Sequence, residues 1–151
     1  MAIILVDIDR LAAINAQRGY EAGTAAIVAM TTALRKNLRS DDEVHRIDGG
    51  GFVAILDNSN YRGAHKAVSR VQAAMERLAA FPLRVKIGMA AFPDDGEDLD
   101  SLLHTADSRL YNSRPGQGAA AVPPASPPKA PRKRPRPEPD PGQGALDLDP
   151  N

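Results

Sequence analysis

The sequence predicts one α/β domain with the element order β-α-α-β-β-α-β-α, followed by a disordered proline-rich tail. Three observations carry this reading. A short, branched, wholly apolar run, Ala2-Ile3-Ile4-Leu5-Val6, opens the chain. Glycines cluster between two strand-like runs at Asp48-Gly49-Gly50-Gly51. Ten of the thirteen prolines lie from Pro123 onward, which separates a foldable part, residues 1–118, from a tail, residues 119–151.

Each element has a local reason. Ala2–Val6 has no polar side chain to offer water on either face, the pattern of a central strand buried on both sides. After Asp7-Ile8-Asp9 the spacing becomes helical: Leu11, Ile14 and Asn15 run up to a stop at Gly19, and Ile27, Met30, Leu34 and Leu38 mark a second amphipathic helix. Glu43–Ile47 and Phe52–Leu56 read as the arms of a hairpin, because the glycines between them supply a tight turn. Ala64, Ala67, Val68, Val71, Met75 and Leu78 build a third helix. Leu83–Ala90 alternates apolar and basic residues as far as Gly88, which predicts a fourth strand. Leu99, Leu102, Leu103, Ala106 and Leu110 form a last helix, capped near Asp98.

From Pro115 on, the chain is proline, glycine, alanine and charge without periodicity. Such a segment buries too little apolar surface to offset the entropy of ordering, so disorder with polyproline character is expected. Lys and Arg number 14 against 15 Asp and Glu up to Gly118, and 5 against 4 beyond it. Neither part has a net field that argues for nucleic acid. No cysteine is present, which excludes disulfides, thiolate catalysis and cysteine zinc sites. The opening apolar run, interrupted by Asp7 and Asp9, is too short for a signal-peptide core or a membrane span, so a cytoplasmic protein without membrane contact is expected. His45, His65 and His104 lie on different elements without metal-ligand spacing.

Several residues in this order resemble the GGDEF family of bacterial diguanylate cyclases, which condense GTP into cyclic di-GMP on a palm-like sheet. The first strand ends in Asp7-Ile8-Asp9, with Asn15 six residues after Asp9. Arg46-Ile47 precede the hairpin Asp48-Gly49-Gly50-Gly51-Phe52. Ile87-Gly88 and Ala106-Asp107-Ser108-Arg109-Leu110-Tyr111 complete a likeness that runs from Ile3 to Tyr111. The resemblance implies a mainly antiparallel central sheet with flanking helices.

The departures from the family pattern shape the functional expectation. Gly50 and Gly51 stand at the two acidic positions of the family hairpin, and glycine offers no carboxylate to the divalent metal that phosphodiester formation needs. The expectation is therefore of no catalytic residue and no enzyme. Asp7 remains from the family's metal-binding pair and is the one candidate metal ligand. No cofactor is required on this reading, and Mg at Asp7 is the candidate ion. With Asn15, which matches the guanine-reading residue, and Arg114, which alone could replace a phosphate-gripping Lys after Tyr111, Asp7 forms a vestigial nucleotide site. Thr24 stands where the family has the Asp partner of Asn15. The helix and Asp-x-Leu-Thr segment that precede the family's first strand do not occur here, and the last strand is reduced at best to Ala119–Val122. On a plainer reading, Asp7 and Asp9 are helix N-caps and Asp48 is a turn residue.

A second family feature is retained. The resemblance implies an inhibitory-type site for cyclic di-GMP made of an Arg-x-x-Asp, here Arg39-Ser40-Asp41-Asp42, and an Arg on the helix after the hairpin, here Arg70. Two guanidinium groups can fork onto guanine edges and phosphates while the Asp accepts the guanine N1 and N2 hydrogens. The plainer alternative is a helix end, with a basic residue near its carbonyls and Asp42 starting a turn. The expected function is thus a catalytically inactive GGDEF-like regulatory domain that serves as a cyclic di-GMP receptor. The alternatives are a protein-interaction module with an empty pocket, whose tail over residues 129–149 recruits a partner, and a residual metal-dependent nucleotide-processing enzyme. In that tail, Lys129, Arg132, Lys133, Arg134 and Arg136 alternate with proline as a solvated linker, and Leu146 and Leu148 among acids look like a short docking motif.

Overall fold

The computed structural model describes residues 1–114. The expectations for the tail, for Ala119–Val122 and for a boundary at residue 118 lie outside the described residues. The elements are β1 (Ala2–Ile8), α1 (Leu11–Arg18), α2 (Tyr20–Asn37), β2 (Glu43–Asp48), β3 (Gly51–Leu56), α3 (Tyr61–Leu78), β4 (Val85–Ala91) and α4 (Leu99–Asn112). Their order is the one the sequence predicts.

The strands form one sheet in the order β2-β3-β1-β4, with every neighbouring pair antiparallel. Because side chains alternate along a strand, β1 serves two cores at once. Ala2, Ile4, Val6 and Ile8 face the larger core, with Phe52 and Leu56 of β3, Ile87 and Met89 of β4, and the apolar stripes of α2 and α3. Ile3 and Leu5 face the smaller core, where Leu102 and Ala106 of α4 cover Ala90. This double burial is why β1 carries an unbroken apolar run.

Boundaries shift where tertiary contacts outweigh local pattern. β4 starts at Val85 rather than Leu83: Val85 pairs with Ile8, the last residue of β1, and beyond that pair one backbone bond, from the Asp9 amide to the Arg84 carbonyl at 2.8 Å, ends the contact before Leu83. Leu83 packs against the larger core from outside the strand. β4 also continues past Gly88 to Ala91, covered on both faces. At Gly88, α4 lies so close that a Cβ would collide with the Ala106 carbonyl oxygen and the Leu110 amide nitrogen. The N-cap reading of Asp7 and Asp9 does not hold: α1 has no side-chain cap, and Arg10 enters it with φ 57°. By contrast Asp98 caps α4 in a reciprocal box, accepting from the Ser101 amide at 2.8 Å while the Ser101 hydroxyl accepts from the Asp98 amide at 3.2 Å.

Among the described residues, the outer edge of β4 is closed by side chains. The Ile87 amide donates to Ser113 Oγ, Arg109 donates to the Met89 carbonyl at 2.7 Å, and the Ala91 amide donates to Asp95 Oδ2 at 2.9 Å. Arg109 and Asp95 also pair directly at 2.7 Å, with 17% and 4% of their side chains exposed. These bonds satisfy backbone groups that a bare sheet edge would present for pairing. Among the described residues, no helix is long and apolar enough to cross a membrane.

Candidate functional site

Two regions gather the residues that the sequence singles out. The first is the end of the sheet at the hairpin. Register places Asp7 opposite Gly51 on β3 and opposite Lys86 on β4, so these three positions share one row and one face. Lys86 Nζ lies 3.9 Å from Asp9 Oδ1. Burial pushes the Asp7 carboxyl above its ordinary range; the Lys86 charge opposes that rise, and the negative charges of Asp48 and Asp9 add to it.

The hairpin turn explains where Asp48 goes. β2 is irregular between Arg46 and Asp48, and the Arg46 guanidinium closes the turn by donating twice to the Gly49 carbonyl, at 2.6 and 3.1 Å. The Asp48 side chain folds into the space that a side chain at 51 would take: a Cβ there would lie 2.8 Å from Asp48 Oδ1. Asp48 is thus a turn residue whose carboxylate also stands above Gly51. Gly50 instead backs onto Ile8, whose amide donates to the Gly50 carbonyl.

The other residues of the proposed vestigial site are differently placed. Asn15 lies against Gly23 on α2, where a Cβ would overlap its side-chain oxygen, and that oxygen is buried without a hydrogen-bond partner. Asn15 therefore fills the α1–α2 joint instead of lining an open surface. Thr24 and Arg114 are exposed, and Arg114 follows Ser113, the residue that holds the Ile87 amide.

The divalent cation that the family resemblance implies finds a poor donor set here. Such a cation takes six or more oxygen ligands. Gly50 and Gly51 offer no side-chain oxygen, and among the described residues no three His, Asp or Glu side chains are grouped to hold a metal ion. An ammonium, Lys86, stands beside the acids.

The second region is the loop from α2 to β2. The Arg39 amide donates to Asp42 Oδ2 at 2.8 Å and the Asp42 amide donates to the Arg39 carbonyl at 3.2 Å, which winds residues 39–42 into a tight turn. Asp42 Oδ1 is buried and accepts no hydrogen bond. Arg70 reaches across from α3, its Nη2 donating to the Asn37 carbonyl at the end of α2 at 2.9 Å. A hollow of about 280 Å³ is lined by Arg35, Leu38, Arg39, Ser40, Asp42 and Val44. Arg39 and Asp42 are in its wall, and Arg70 stands at the helix end that carries them.

Sequence reasoning missed Arg35 and Lys86. Arg35 lies in the last turn of α2, four residues before Arg39 in the loop that follows, and both line the same hollow. Lys86 gave no signal, because only the β1–β4 register shows that it faces Asp7.

Comparison with known proteins is consistent with this geometry. The family model described as diguanylate cyclase, GGDEF domain, matches residues 1–119. Probable diguanylate cyclase DgcC of Escherichia coli strain K12 is 31% identical over 117 residues, 74% of this chain and 32% of that protein. Diguanylate cyclase TpbB of Pseudomonas aeruginosa is 29% identical over 119 residues, 74% of this chain and 27% of that protein. The chain therefore spans about a third or less of the length of these curated relatives. The solved GGDEF domain of Pseudomonas aeruginosa TpbB superimposes with a TM-score of 0.69 at 27% identity, covering 74% of this chain and 69% of that one. A microbial GGDEF domain solved for its interaction with cyclic di-GMP gives 0.62 at 27% identity, covering 73% and 69%.

Proposed function

The chain belongs to the GGDEF family of diguanylate cyclase domains, and from that premise we propose that it works in cyclic di-GMP signalling by binding the dinucleotide at Arg39, Asp42 and Arg70. Membership corrects one expectation: the chain is not set apart as a non-enzyme, because the matching family and its named relatives are diguanylate cyclases. The glycines at 50 and 51 do not remove it from that enzyme family.

The observation that carries the binding proposal is the unsatisfied oxygen of Asp42. One oxygen of that carboxylate is tied to the Arg39 amide; the other is sheltered from water and accepts nothing. A buried acceptor left in this state costs about 1–3 kcal/mol, and a ligand that brings N–H donors recovers it. A guanine edge presents two such donors side by side. Arg35 and Arg39 line the same hollow and supply positive charge for the phosphates, so the surface suits a guanine-bearing dianion. The binding of cyclic di-GMP by a related GGDEF domain supports this choice of ligand.

Calorimetric titration of the full chain with cyclic di-GMP tests the proposal. A charged hydrogen bond contributes roughly 1.5–3 kcal/mol, so Arg39→Ala is expected to weaken binding at least about tenfold. Asp42→Ala is expected to do likewise, while Asp7→Ala leaves affinity unchanged. If the parent protein gives no heat at micromolar ligand, or Arg39→Ala binds as tightly as the parent, the proposal fails.

A further inference from the structure

We propose that Lys86 is the resident cation of the Asp7–Asp9 strand end and that its ammonium, rather than a divalent metal ion, balances these carboxylates. The inference starts from the poor fit between this strand end and the cation its family implies, so it rests on the family reading but not on the proposed dinucleotide site.

The geometry supplies the argument. On the row Gly51–Asp7–Lys86 the central carboxylate has a hydrogen atom as one neighbouring side chain and a cationic side chain as the other. The carboxylate that fills the space above Gly51 comes from Asp48 in the turn, so negative charge remains concentrated at this end although both hairpin positions are glycine. That charge needs a counterion, because Asp9 is only 14% exposed and Asp7 is itself partly buried. Lys86 is a cation within ion-pairing distance: its Nζ lies 3.9 Å from Asp9 Oδ1, its side chain is 33% exposed, and register sets it directly opposite Asp7. A long flexible stem lets one ammonium serve both carboxylates from the neighbouring strand. The same charge repels any divalent ion that approaches Asp7, so position 86 decides which cation this surface accepts.

Manganese is the probe, read in the full chain by calorimetry and by paramagnetic broadening of the Asp7 and Asp9 amide signals. The parent protein is expected to show neither heat nor selective broadening at micromolar Mn²⁺. Lys86→Met keeps the aliphatic stem and removes the charge, and it is expected to gain binding at least about tenfold, with broadening at both aspartates. Adding Asp7→Asn to that variant is expected to abolish the gain. Lys86→Arg, which keeps the charge, is expected to behave like the parent, and Lys86→Gln provides a second neutral form should the Met variant misfold. Mn²⁺ binding by the parent as tight as that of the neutral variants would overturn the inference. So would neutral variants that gain nothing, or a gain shared by Lys86→Arg. Cyclic di-GMP titrations of the same proteins read Arg39 and Asp42 independently, so failure at Lys86 and failure of the dinucleotide site remain distinguishable.

Discussion

Gly88→Val is expected to leave no stably folded domain. Gly88 sits in the middle of β4, and the atoms that a Cβ would strike are the Ala106 carbonyl oxygen and the Leu110 amide nitrogen of α4. A flexible side chain could swing aside, but a helix backbone cannot retreat without lifting Leu102 and Ala106 out of the smaller core. Overpacking a core costs about 1–3 kcal/mol when side chains can adjust, so a clash with helix backbone should exceed about 3 kcal/mol. That is a large share of the roughly 5–15 kcal/mol available to a domain. Gly88→Ala already places the offending atom and should show most of the loss. Gly19 is the informative contrast: it adopts φ 87° and ψ 161° with open space around it, so Gly19→Ala should cost only the strain of a backbone region that glycine alone adopts readily, about 1–3 kcal/mol. Urea melts followed by circular dichroism compare the three. An alanine variant at 88 that melts with the parent would show that α4 does not pack as described.

Asp95→Asn is expected to destabilise the domain by about 3 kcal/mol near neutral pH, and the loss should fade in acid. Burial by itself would raise the Asp95 carboxyl, but the hydrogen bond from Arg109, the Ala91 amide and the Arg109 charge together hold it below its ordinary range. The sign follows directly. A carboxylate with a lowered folded-state pKa binds fewer protons folded than unfolded, so its contribution is complete above the unfolded value and disappears as the pH falls through the folded one. Asparagine would leave the Arg109 guanidinium, 17% exposed, without its counter-charge while it still donates to the Met89 carbonyl and lies 5.8 Å from the Tyr61 ring. Denaturant midpoints for parent and variant should differ most near neutral pH and converge as the pH falls below the ordinary carboxylate range and through the lowered folded-state value. A gap that is constant across this range would mean that the ion pair contributes nothing and that only shape matters at position 95.

The positions of the elements were legible because each depends on neighbours in the chain. The unbroken apolar run of β1 announces burial on both faces, the three-to-four spacing of Ala64, Ala67, Val68 and Val71 announces a helix, and Asp98 announces where α4 begins. A turn at Asp42 was legible for the same reason, although Asp42 closes the turn that Arg39 opens instead of starting one. The resemblance assigns Asn15 to a vestigial nucleotide site, and only the docking of α1 on α2 shows that its side chain lies against Gly23.

What the sequence determined by itself was therefore periodicity, turn chemistry and family membership, all of which are written in spacing along the chain. The tertiary structure alone decided that Lys86 faces Asp7, that Asp48 covers Gly51, that Arg70 reaches the end of α2, and that Arg109 and Asp95 close the β4 edge. Each of these pairings depends on strand register or helix docking. Those are set by packing the two faces of the sheet together, and a one-residue slip in register would exchange every inward side chain for its neighbour.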